Sequence, residues 1–312
     1  MRILVIGAGA TGGYFGGRLL EAGRDVTFLV RPERAARLAK DGLTIDSAFG
    51  SVTLANPPTV LAGQISGPFD VILLSCKAYD LDSAIDSFAP AVGPESVVVP
   101  ILNGMRHLDV LDARLGANRV LGGVCLISSR LDPSGRILHL SDIHRVVLGE
   151  RAGGLSPRAE AIAAEMAGAK FDVRASDAVI LDMWEKWVFL ATLAGSTCQT
   201  RSAVGDIASA GATDLALALL EECRQIAVAS GWPPREKFIE LCIARLSDPK
   251  SPLTASMLSD FERGGPTEAD HILGDLLRRR YSTAGPDHSL LRIAYASVKA
   301  NEARLKREIG SR

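Results

Sequence analysis

A glycine-rich turn between a strand and a helix, close to the N-terminus, constrains the fold of this chain more than any other feature. Ile3–Ile6 is a short apolar run typical of a buried parallel strand, and Thr11–Ala22 has the spacing of a helix. Val26–Val30 then predicts a second strand. Together Met1–Arg31 predict the first strand–helix–strand unit of a Rossmann domain.

The turn itself has the pattern GxGxxG, in which each glycine has a separate structural reason. Gly7 permits the tight turn, Gly9 lets the backbone approach a pyrophosphate, and Gly12 lets the helix pack closely on the strand. The exposed N–H groups at the start of the helix suit phosphates. The predicted dinucleotide-binding residues are Gly7, Ala8, Gly9, Ala10, Thr11 and Gly12.

The end of the second strand indicates which dinucleotide is bound. An NAD site is expected to carry Asp or Glu there, but this chain has Arg31 and no acid before Glu33. A guanidinium matches the geometry of a 2′-phosphate, and Arg34 is placed to assist. The sequence therefore favours NADPH as the cofactor.

Strands and helices continue to alternate through the first half of the chain. Phe69–Leu74 and Ser96–Leu102 read as strands with a helix at Leu81–Phe88 between them, which predicts a doubly wound α/β sheet. Val120–Glu150 holds further strands, which we expect to form an antiparallel addition to that sheet. We predict a Rossmann, NADP-binding domain over residues 1–175.

The strand pattern ends near residue 176, and the rest of the chain has helical periodicity. We therefore predict an all-helical substrate and catalytic domain over residues 176–312. Its predicted helices are Asp177–Leu193, Thr213–Ser230, Arg235–Leu246, Thr254–Glu262, Glu268–Tyr281 and Ser289–Arg307.

Composition and charge exclude several classes of partner. The formal net charge is -1, with 47% hydrophobic and 23% charged residues, so nothing in the balance favours nucleic acid or a membrane surface. No apolar run approaches the roughly 18–20 residues of a membrane span, and we expect a cytoplasmic protein. The five histidines and five cysteines show no metal-ligand spacing, so we predict no metal.

Three polar residues stand out as candidates for chemistry. Lys77 and Asn103 follow predicted strands, and the carboxyl ends of strands line the ligand crevice of a doubly wound sheet. Lys186 lies within an otherwise apolar helix. From the pattern alone, Lys186 is equally well explained as a surface lysine with a buried stem or as a catalytic residue.

These features occur with others in an order that resembles the ketopantoate reductase (2-dehydropantoate 2-reductase) family. The resemblance extends from residue 1 to about residue 280. The motifs that carry it are Gly7–Gly12, Arg31, Lys77-Ala78, Asn103-Gly104-Met105, Trp184-Glu185-Lys186 and the stretch SMLSDFERGGPTEAD at Ser256–Asp270.

The resemblance implies a reductase of pantothenate biosynthesis that converts a 2-oxo acid to a 2-hydroxy acid with NADPH. It implies that the helical domain resembles the C-terminal domain of 6-phosphogluconate dehydrogenase. Lys186 would be the general acid, and Glu268, the second catalytic residue, would hold a substrate hydroxyl. Ser256 would contact the substrate carboxylate, Lys77 the cofactor, and Asn103 both the nicotinamide and the substrate.

The chain departs from the family at several polar positions. Leu190, Ala194 and Leu273 stand where the family usually has asparagine, and Leu102 stands where a polar residue is common. An apolar wall discriminates less strongly than one that hydrogen-bonds a hydroxyl. We therefore expect a substrate less polar than ketopantoate, or with a bulkier apolar part.

Other interpretations stay open at this point. The chain could be a related dehydrogenase for a different, more apolar 2-oxo or 2-hydroxy acid, or a non-catalytic NADPH-binding sensor. His271, one turn from Glu268, could reach the pocket, but the favoured prediction is a helix-surface histidine. The apolar helices of the second domain are also compatible with a homodimer.

Overall fold

The computed structural model describes residues 1–281 and 288–310, and the chain divides into two compact units. The first unit comprises Met1–Leu102 and His107–Ile180. The second begins at Leu181 and also includes the short segment Asn103–Arg106. The division falls within the first helical turns after Val179, so one long helix starts in the first unit and continues into the second.

The first unit contains ten strands and five helices, interrupted by short 3₁₀ turns at Ala78–Asp80, Ala89–Ala91 and Ala117–Arg119. In chain order the strands and helices are β1 (Arg2–Ile6), α1 (Ala10–Glu21), β2 (Asp25–Leu29), α2 (Pro32–Asp41), β3 (Leu43–Asp46), β4 (Val52–Leu54), β5 (Thr59–Val60), β6 (Phe69–Leu74), α3 (Leu81–Phe88), β7 (Val92–Pro100), α4 (Arg106–Leu115), β8 (Gly122–Leu131), β9 (Ile137–Gly149), α5 (Pro157–Met166) and β10 (Asp172–Ala175).

A five-stranded parallel sheet forms one half of this unit, in the order β5-β2-β1-β6-β7. Val5 in the central strand pairs in register with Phe28 on one side and Leu73 on the other. The strand order reverses between β1 and β6, which is the point where doubly wound sheets bind ligands. The predicted α/β fold is confirmed.

A second sheet forms the other half, and here the prediction of an antiparallel addition to the parallel sheet is wrong. The order is β10-β9-β3-β4, with β8 pairing antiparallel to β9. One isolated bridge, between Val98 and Val120, connects the two sheets. Within Val120–Glu150, where further strands were predicted, residues 137–149 form the single long strand β9. Its partners β3 and β10 come from distant segments, so local periodicity does not reveal this pairing.

Helix α1 packs against both sheets because its middle is made of glycines. A Cβ on Gly16 would lie 2.6 Å from the ring of Phe28 in the parallel sheet. A Cβ on Gly17 would lie 2.7 Å from Leu43 in the second sheet. Neither position has room for a side chain, and the absence of side chains at Gly16 and Gly17 lets both sheets approach the helix closely.

A buried polar cluster lies on the side of α1 that faces the second sheet. Tyr14 Oη is 2.6 Å from His144 Nδ1, and Ser47 Oγ is 2.9 Å from His139 Nδ1. The two imidazoles stack with their centroids 5.2 Å apart. Burial lowers the pKa of both His139 and His144 below the usual value for histidine.

The regular elements of the second unit are all helical among its described residues, as predicted. Its elements are α6 (Val179–Thr200), α7 (Val204–Ser209), α8 (Thr213–Ala229), α9 (Glu236–Leu246), α10 (Ser256–Glu262), a π-helical turn (Asp270–Gly274), α11 (Asp275–Tyr281) and α12 (Leu290–Gly310). The short helix α7 was not predicted, and the expected helix Glu268–Tyr281 includes the π turn. Among the described helices, none is both long and apolar enough to span a membrane.

The long helix α6 packs against α8 and α12 at a glycine. A Cβ on Gly195 would lie 2.7 Å from Leu219 on α8 and 3.2 Å from Ala294 on α12. The side chains of Val188 and Ala191 are also fully buried on α6. The position of α6 is therefore well determined by its packing, and Lys186 lies on this helix.

Candidate active site

The glycine turn after β1 has the geometry that the sequence predicts. Gly7 has a φ of +91°, and its N–H donates to the carbonyl of Leu29 at 2.9 Å, which ties the turn to the end of β2. A Cβ on Gly12 would lie 2.4 Å from the Gly7 carbonyl oxygen and 2.1 Å from Ser75 Oγ. Gly7 and Gly12 are thus required by backbone conformation and by close packing.

The third glycine, Gly9, has no such restriction from the protein. It is the N-cap of α1, with an extended backbone at φ −81° and ψ −164°, and no atom lies within 4 Å of its ideal Cβ position. No side chain caps α1, and its first turn has no acidic residue. The open space therefore lies at a helix N-terminus, where backbone N–H groups and the helix dipole favour an anion such as a pyrophosphate.

Arg31, the predicted 2′-phosphate contact, is the N-cap residue of α2 and forms an ion pair. Its Nη2 donates to Asp80 Oδ1 at 2.8 Å, and its side chain is 76% exposed. Exposed pairs of this kind contribute at most about 1 kcal/mol. The guanidinium thus has little holding it in its present position and remains available to a stronger anion.

Arg34 is more firmly held and lies directly beside the glycine turn. Its Nε donates to the carbonyl of Ala8 at 3.0 Å, and its Nη1 donates to the carbonyl of Gly135 at 3.2 Å. Its Nη2 is buried without a hydrogen-bond partner among the described residues. Burial, and secondarily the charge of Arg37, lower the pKa of Arg34. A buried unpaired donor at this place favours an anionic ligand.

Lys77 lies at the same edge of the parallel sheet as the glycine turn. Strands β1 and β6 are neighbours and pair Ile6 with Leu74, so the residues that follow them emerge side by side. Lys77 precedes the 3₁₀ turn Ala78–Asp80 and is half-buried. Its position is compatible with a cofactor contact.

In the second unit, Lys186 is half-buried on α6 between two buried tryptophans. The ring centroids of Trp184 and Trp187 are 5.0 Å apart. The adjacent Glu185 accepts bonds from the backbone N–H of Arg235 at 2.8 Å and from its guanidinium at 2.9 Å. Burial raises the pKa of Glu185, and Arg235 opposes that shift. Glu185 therefore fixes α6 to the start of α9.

Glu268 is buried, with 6% of its surface exposed, and immediately precedes the π turn. Its carbonyl accepts bonds from the N–H groups of His271 at 3.0 Å and Ile272 at 2.9 Å. Trp187 Nε1 donates to the carbonyl of Ile272 at 2.8 Å. This last bond brings the helix that carries Lys186 against the turn that follows Glu268.

The segment that carries Asn103 reaches the same π turn. Gly104 has a φ of +74°, and a Cβ there would lie 2.8 Å from His271 Cδ2. Asn103 is half-buried, and its backbone forms a hydrogen bond with the His271 side chain. Asn103, Lys186 and Glu268 thus all belong to segments that contact one turn, Asp270–Gly274.

The structure anchors the fourth predicted residue, Ser256, at a different part of α6. Ser256 is exposed and begins α10, and the preceding Ala255 N–H donates to Thr197 Oγ1 at 3.4 Å. Thr197 lies eleven residues beyond Lys186 in the sequence, which is about 16 Å along a helix. A contact between Ser256 and a substrate carboxylate stays a prediction.

The apolar residues at the usual asparagine positions differ in exposure. Ala194 and Leu273 are fully buried, whereas Leu190, one turn after Lys186, is half-buried. Leu190 is therefore the one of these three with surface available to a ligand.

Sequence reasoning misplaced one residue of this region. His271 was predicted to lie on a helix surface, but it is 8% exposed and packs on Gly104. Its spacing of three residues from Glu268 was a signal of proximity. The reason for its burial is the approach of the Asn103–Gly104 segment, which comes from a distant part of the chain.

In the described part of the chain, potential metal ligands are not clustered, and burial keeps at least two of the thiols protonated. No group of three or more His, Cys, Asp or Glu side chains there could hold a metal ion. No two of the five cysteines form a disulfide, and burial raises the pKa of Cys198 and of Cys242 to about 12. Such thiols remain protonated and are poor nucleophiles.

Comparison with protein families gives a match across nearly the whole chain. The sequence profile described as ketopantoate reductase PanE/ApbA matches residues 3–153. The profile of the ketopantoate reductase PanE/ApbA C terminal matches residues 178–302.

Individual relatives cover both units. An uncharacterized oxidoreductase, YkpB, from Bacillus subtilis is 39% identical over 306 residues, covering 97% of this chain and 99% of that protein. A 2-dehydropantoate 2-reductase from Mesorhizobium japonicum is 29% identical, covering 88% of this chain and 89% of the relative.

Solved structures also resemble this chain over nearly its whole length. The 2-dehydropantoate 2-reductase from Methylococcus capsulatus superposes with a TM-score of 0.85 at 30% identity, and the match covers 98% of each chain. A D-mandelate dehydrogenase in a ternary complex with NADH and anilino(oxo)acetate shares the fold, with a TM-score of 0.86 at 22% identity over 98% of this chain and 100% of that one.

Proposed function

Because the chain belongs to the ketopantoate reductase family, we propose that it reduces a 2-oxo acid to a 2-hydroxy acid with NADPH as hydride donor. As a member of that family it is an oxidoreductase that uses a nicotinamide cofactor, which argues against a non-catalytic sensor. The observation that carries the proposed reaction is the bond from Trp187 to Ile272. It brings Lys186 and Glu268, the two predicted catalytic residues, to adjoining segments.

The choice of NADPH over NADH rests on two arginines at the glycine turn. Gly7, Gly9 and the start of α1 offer a fitting cradle for the pyrophosphate. The unpartnered Nη2 of Arg34 and the weakly held guanidinium of Arg31 supply donors for a 2′-phosphate. A phosphate carries more negative charge than the single carboxylate of Asp80, so it competes favourably for Arg31.

The proposed chemistry uses a small set of side chains in separate roles. When bound, NADPH supplies a hydride to the carbonyl carbon of the substrate. Lys186 Nζ stabilises the negative charge that develops on the carbonyl oxygen and gives that oxygen a proton. Glu268 accepts a hydrogen bond from a substrate hydroxyl, and Asn103 offers an amide donor and acceptor. Lys186 then recovers its proton from solvent.

The proposed substrate has a larger or less polar side chain than ketopantoate. Of the three apolar residues at the usual asparagine positions, Leu190 has surface available to a ligand, and it cannot hydrogen-bond a substrate hydroxyl, which weakens discrimination for polar substrates. Ketopantoate itself, and with it a role in pantothenate biosynthesis, is the alternative.

Replacement of the proposed general acid tests the reaction. We expect Lys186→Ala to lower kcat by a factor of about 100 or more, the usual contribution of acid catalysis, while the Kd for NADPH changes little. Lys237→Ala, at an exposed lysine on α9, is the matched control and should behave as wild type. Full activity in Lys186→Ala would refute the assigned mechanism.

A substrate panel separates the two substrate proposals. Steady-state kcat/KM values would be measured with NADPH for ketopantoate and for 2-oxo acids with branched aliphatic or aromatic side chains. We expect the apolar acids to be preferred. A wide preference for ketopantoate would refute the apolar-substrate proposal and leave the reductase activity intact.

A further inference from the structure

His271 is a buried imidazole placed between two proposed substrate-binding segments. It belongs to the π turn Asp270–Gly274, and π turns occur frequently at functional sites. The backbone N–H of His271 donates to the carbonyl of Glu268. Trp187 Nε1 donates to the carbonyl of the next residue, Ile272. The backbone around His271 is therefore fixed by both Glu268 and α6.

The ring of His271 packs directly on the Asn103–Gly104 segment. An ideal Cβ on Gly104 would be 2.8 Å from Cδ2, 3.1 Å from Nε2 and 2.9 Å from the His271 carbonyl oxygen. Gly104 therefore has no room for a side chain. The ring also hydrogen-bonds the backbone of Asn103 in a way that raises the pKa of His271, as donation from the ring to a carbonyl does. The imidazole thus holds the residue whose side chain is proposed to bind substrate.

The charges around His271 act in opposite directions. Burial is the dominant influence and lowers the pKa of His271, while the carboxylates of Glu268 and Asp275 and the Asn103 bond raise it. Arg106 adds a smaller lowering effect. The net shift is downward, so the ring is neutral at neutral pH. On protonation it would become a cation whose charge interacts with the carboxylates of Glu268 and Asp275.

We propose that His271 is a positioning residue of the reductase site, which in its neutral form holds the Asn103–Gly104 segment in place. The role in turnover rests on the proposed reduction of a 2-oxo acid. When protonated, the imidazolium adds a positive charge that interacts with the Glu268 carboxylate and competes with the substrate for it. An apolar side chain at this place could fill the volume, but it could not donate to Asn103.

Kinetics of two variants test this role. We expect His271→Leu to lower kcat/KM for the preferred 2-oxo acid by about 10-fold or more, as expected for loss of a buried hydrogen bond. His271→Gln, which keeps an N–H donor, should retain more activity than His271→Leu. The Kd for NADPH should be unchanged in both, and His288→Gln, at an exposed histidine, is the matched control.

The pH profile supplies a readout that packing alone would not alter. Wild-type kcat/KM should fall on the acid side as His271 becomes protonated, and this acid limb should be weaker or absent in His271→Gln, whose side chain does not titrate. An unchanged acid limb in His271→Gln, or wild-type kcat/KM in both variants, would overturn the proposal. Thermal unfolding of each variant verifies that it is folded.

A second measurement does not depend on turnover. The pKa of His271 would be followed by NMR in the full-length wild type and in Glu268→Gln, with the ring resonance assigned by its loss in His271→Gln. Removal of the Glu268 charge should lower the pKa of His271 further. No change would refute the coupling, even if the enzyme is active. A clear shift without turnover of any 2-oxo acid would support the coupling and refute the proposed reduction instead.

Discussion

Gly9→Ala separates cofactor binding from folding, because Gly9 alone among the three turn glycines is unrestricted by the protein. Its φ of −81° and ψ of −164° are accessible to alanine, and no atom lies within 4 Å of the added methyl group. Without cofactor we therefore expect unchanged stability or a gain of about 0.4–1 kcal/mol from the less flexible unfolded chain. The methyl group would instead occupy the space proposed for the pyrophosphate.

The size of the effect on binding follows from the overlap. Overpacking by one methyl group costs about 1–3 kcal/mol, and a central value of about 2 kcal/mol raises the Kd for NADPH about 30-fold. At a concentration of about 100 times the wild-type Kd, NADPH stabilises the wild type by about 2.7 kcal/mol, but the variant by only about 0.9 kcal/mol. That difference corresponds to about 4–7 °C in Tm for a unit of this size.

The assay is thermal unfolding of wild type and variant with and without NADPH, together with a fluorescence titration of NADPH. The matched control is Gly12→Ala, whose methyl group would lie 2.4 Å from the Gly7 carbonyl oxygen and should lower Tm even without cofactor. If Gly9→Ala gave a full NADPH-induced rise in Tm and a wild-type Kd, the pyrophosphate would not lie at this turn.

Three further predictions concern charge, pH and polarity. Asp80→Asn should release Arg31 and tighten NADPH binding by a factor of up to about 5 without affecting NADH, as measured by titration; weaker NADPH binding would contradict this. Because burial holds the pKa of His139 and His144 below the unfolded value of 6.5, their contribution to stability is present above that pH and lost below it. Denaturant unfolding should therefore show a free energy that falls below about pH 6.5, by up to about 1.4 kcal/mol per pH unit for each proton taken up, and a flat profile would contradict it. Leu190→Asn, at the one of the three apolar positions with surface available to a ligand, should shift kcat/KM toward hydroxylated 2-oxo acids; an unchanged substrate ratio would show that position 190 does not influence specificity.

The parallel sheet was predictable because its strands are short apolar runs bounded by glycine and helix signals. Ile3–Ile6 and Phe69–Leu74 carry enough local information to be placed, and the connection rules order them. The second sheet was not predictable in the same way. Strands β3 and β10 are four residues each, and their partner β9 lies far away in the sequence.

The helical unit was predictable in outline and not in detail. Apolar spacing of 3.6 residues locates α6 and α8, but the same spacing hides the π turn, which needs the hydrogen bonds themselves to be recognised. The homodimer considered from the apolar helices stays a prediction.

In the candidate site, too, features encoded by a local motif were predictable, whereas features that depend on tertiary contacts were not. The glycine positions follow from a motif with a physical explanation, and the geometry at Gly7 and Gly12 agrees with it. Lys186 could not be assigned from its helix alone, because a buried stem and a charged end suit either interpretation. The burial of His271 depends on a tertiary contact with Gly104, and no local pattern encodes such a contact.

That contact between Gly104 and His271 has a consequence for recombining family members. Residues 103–106 belong to the helical unit, although in the sequence they lie between two segments of the first unit. A chimera joined near residue 180 would therefore place the Gly104 peptide of one parent against the residue at position 271 of the other. A bulkier ring there would meet a glycine that has no spare room. Crossovers that exchange the tetrapeptide with the helical half would keep the matched pair from one parent.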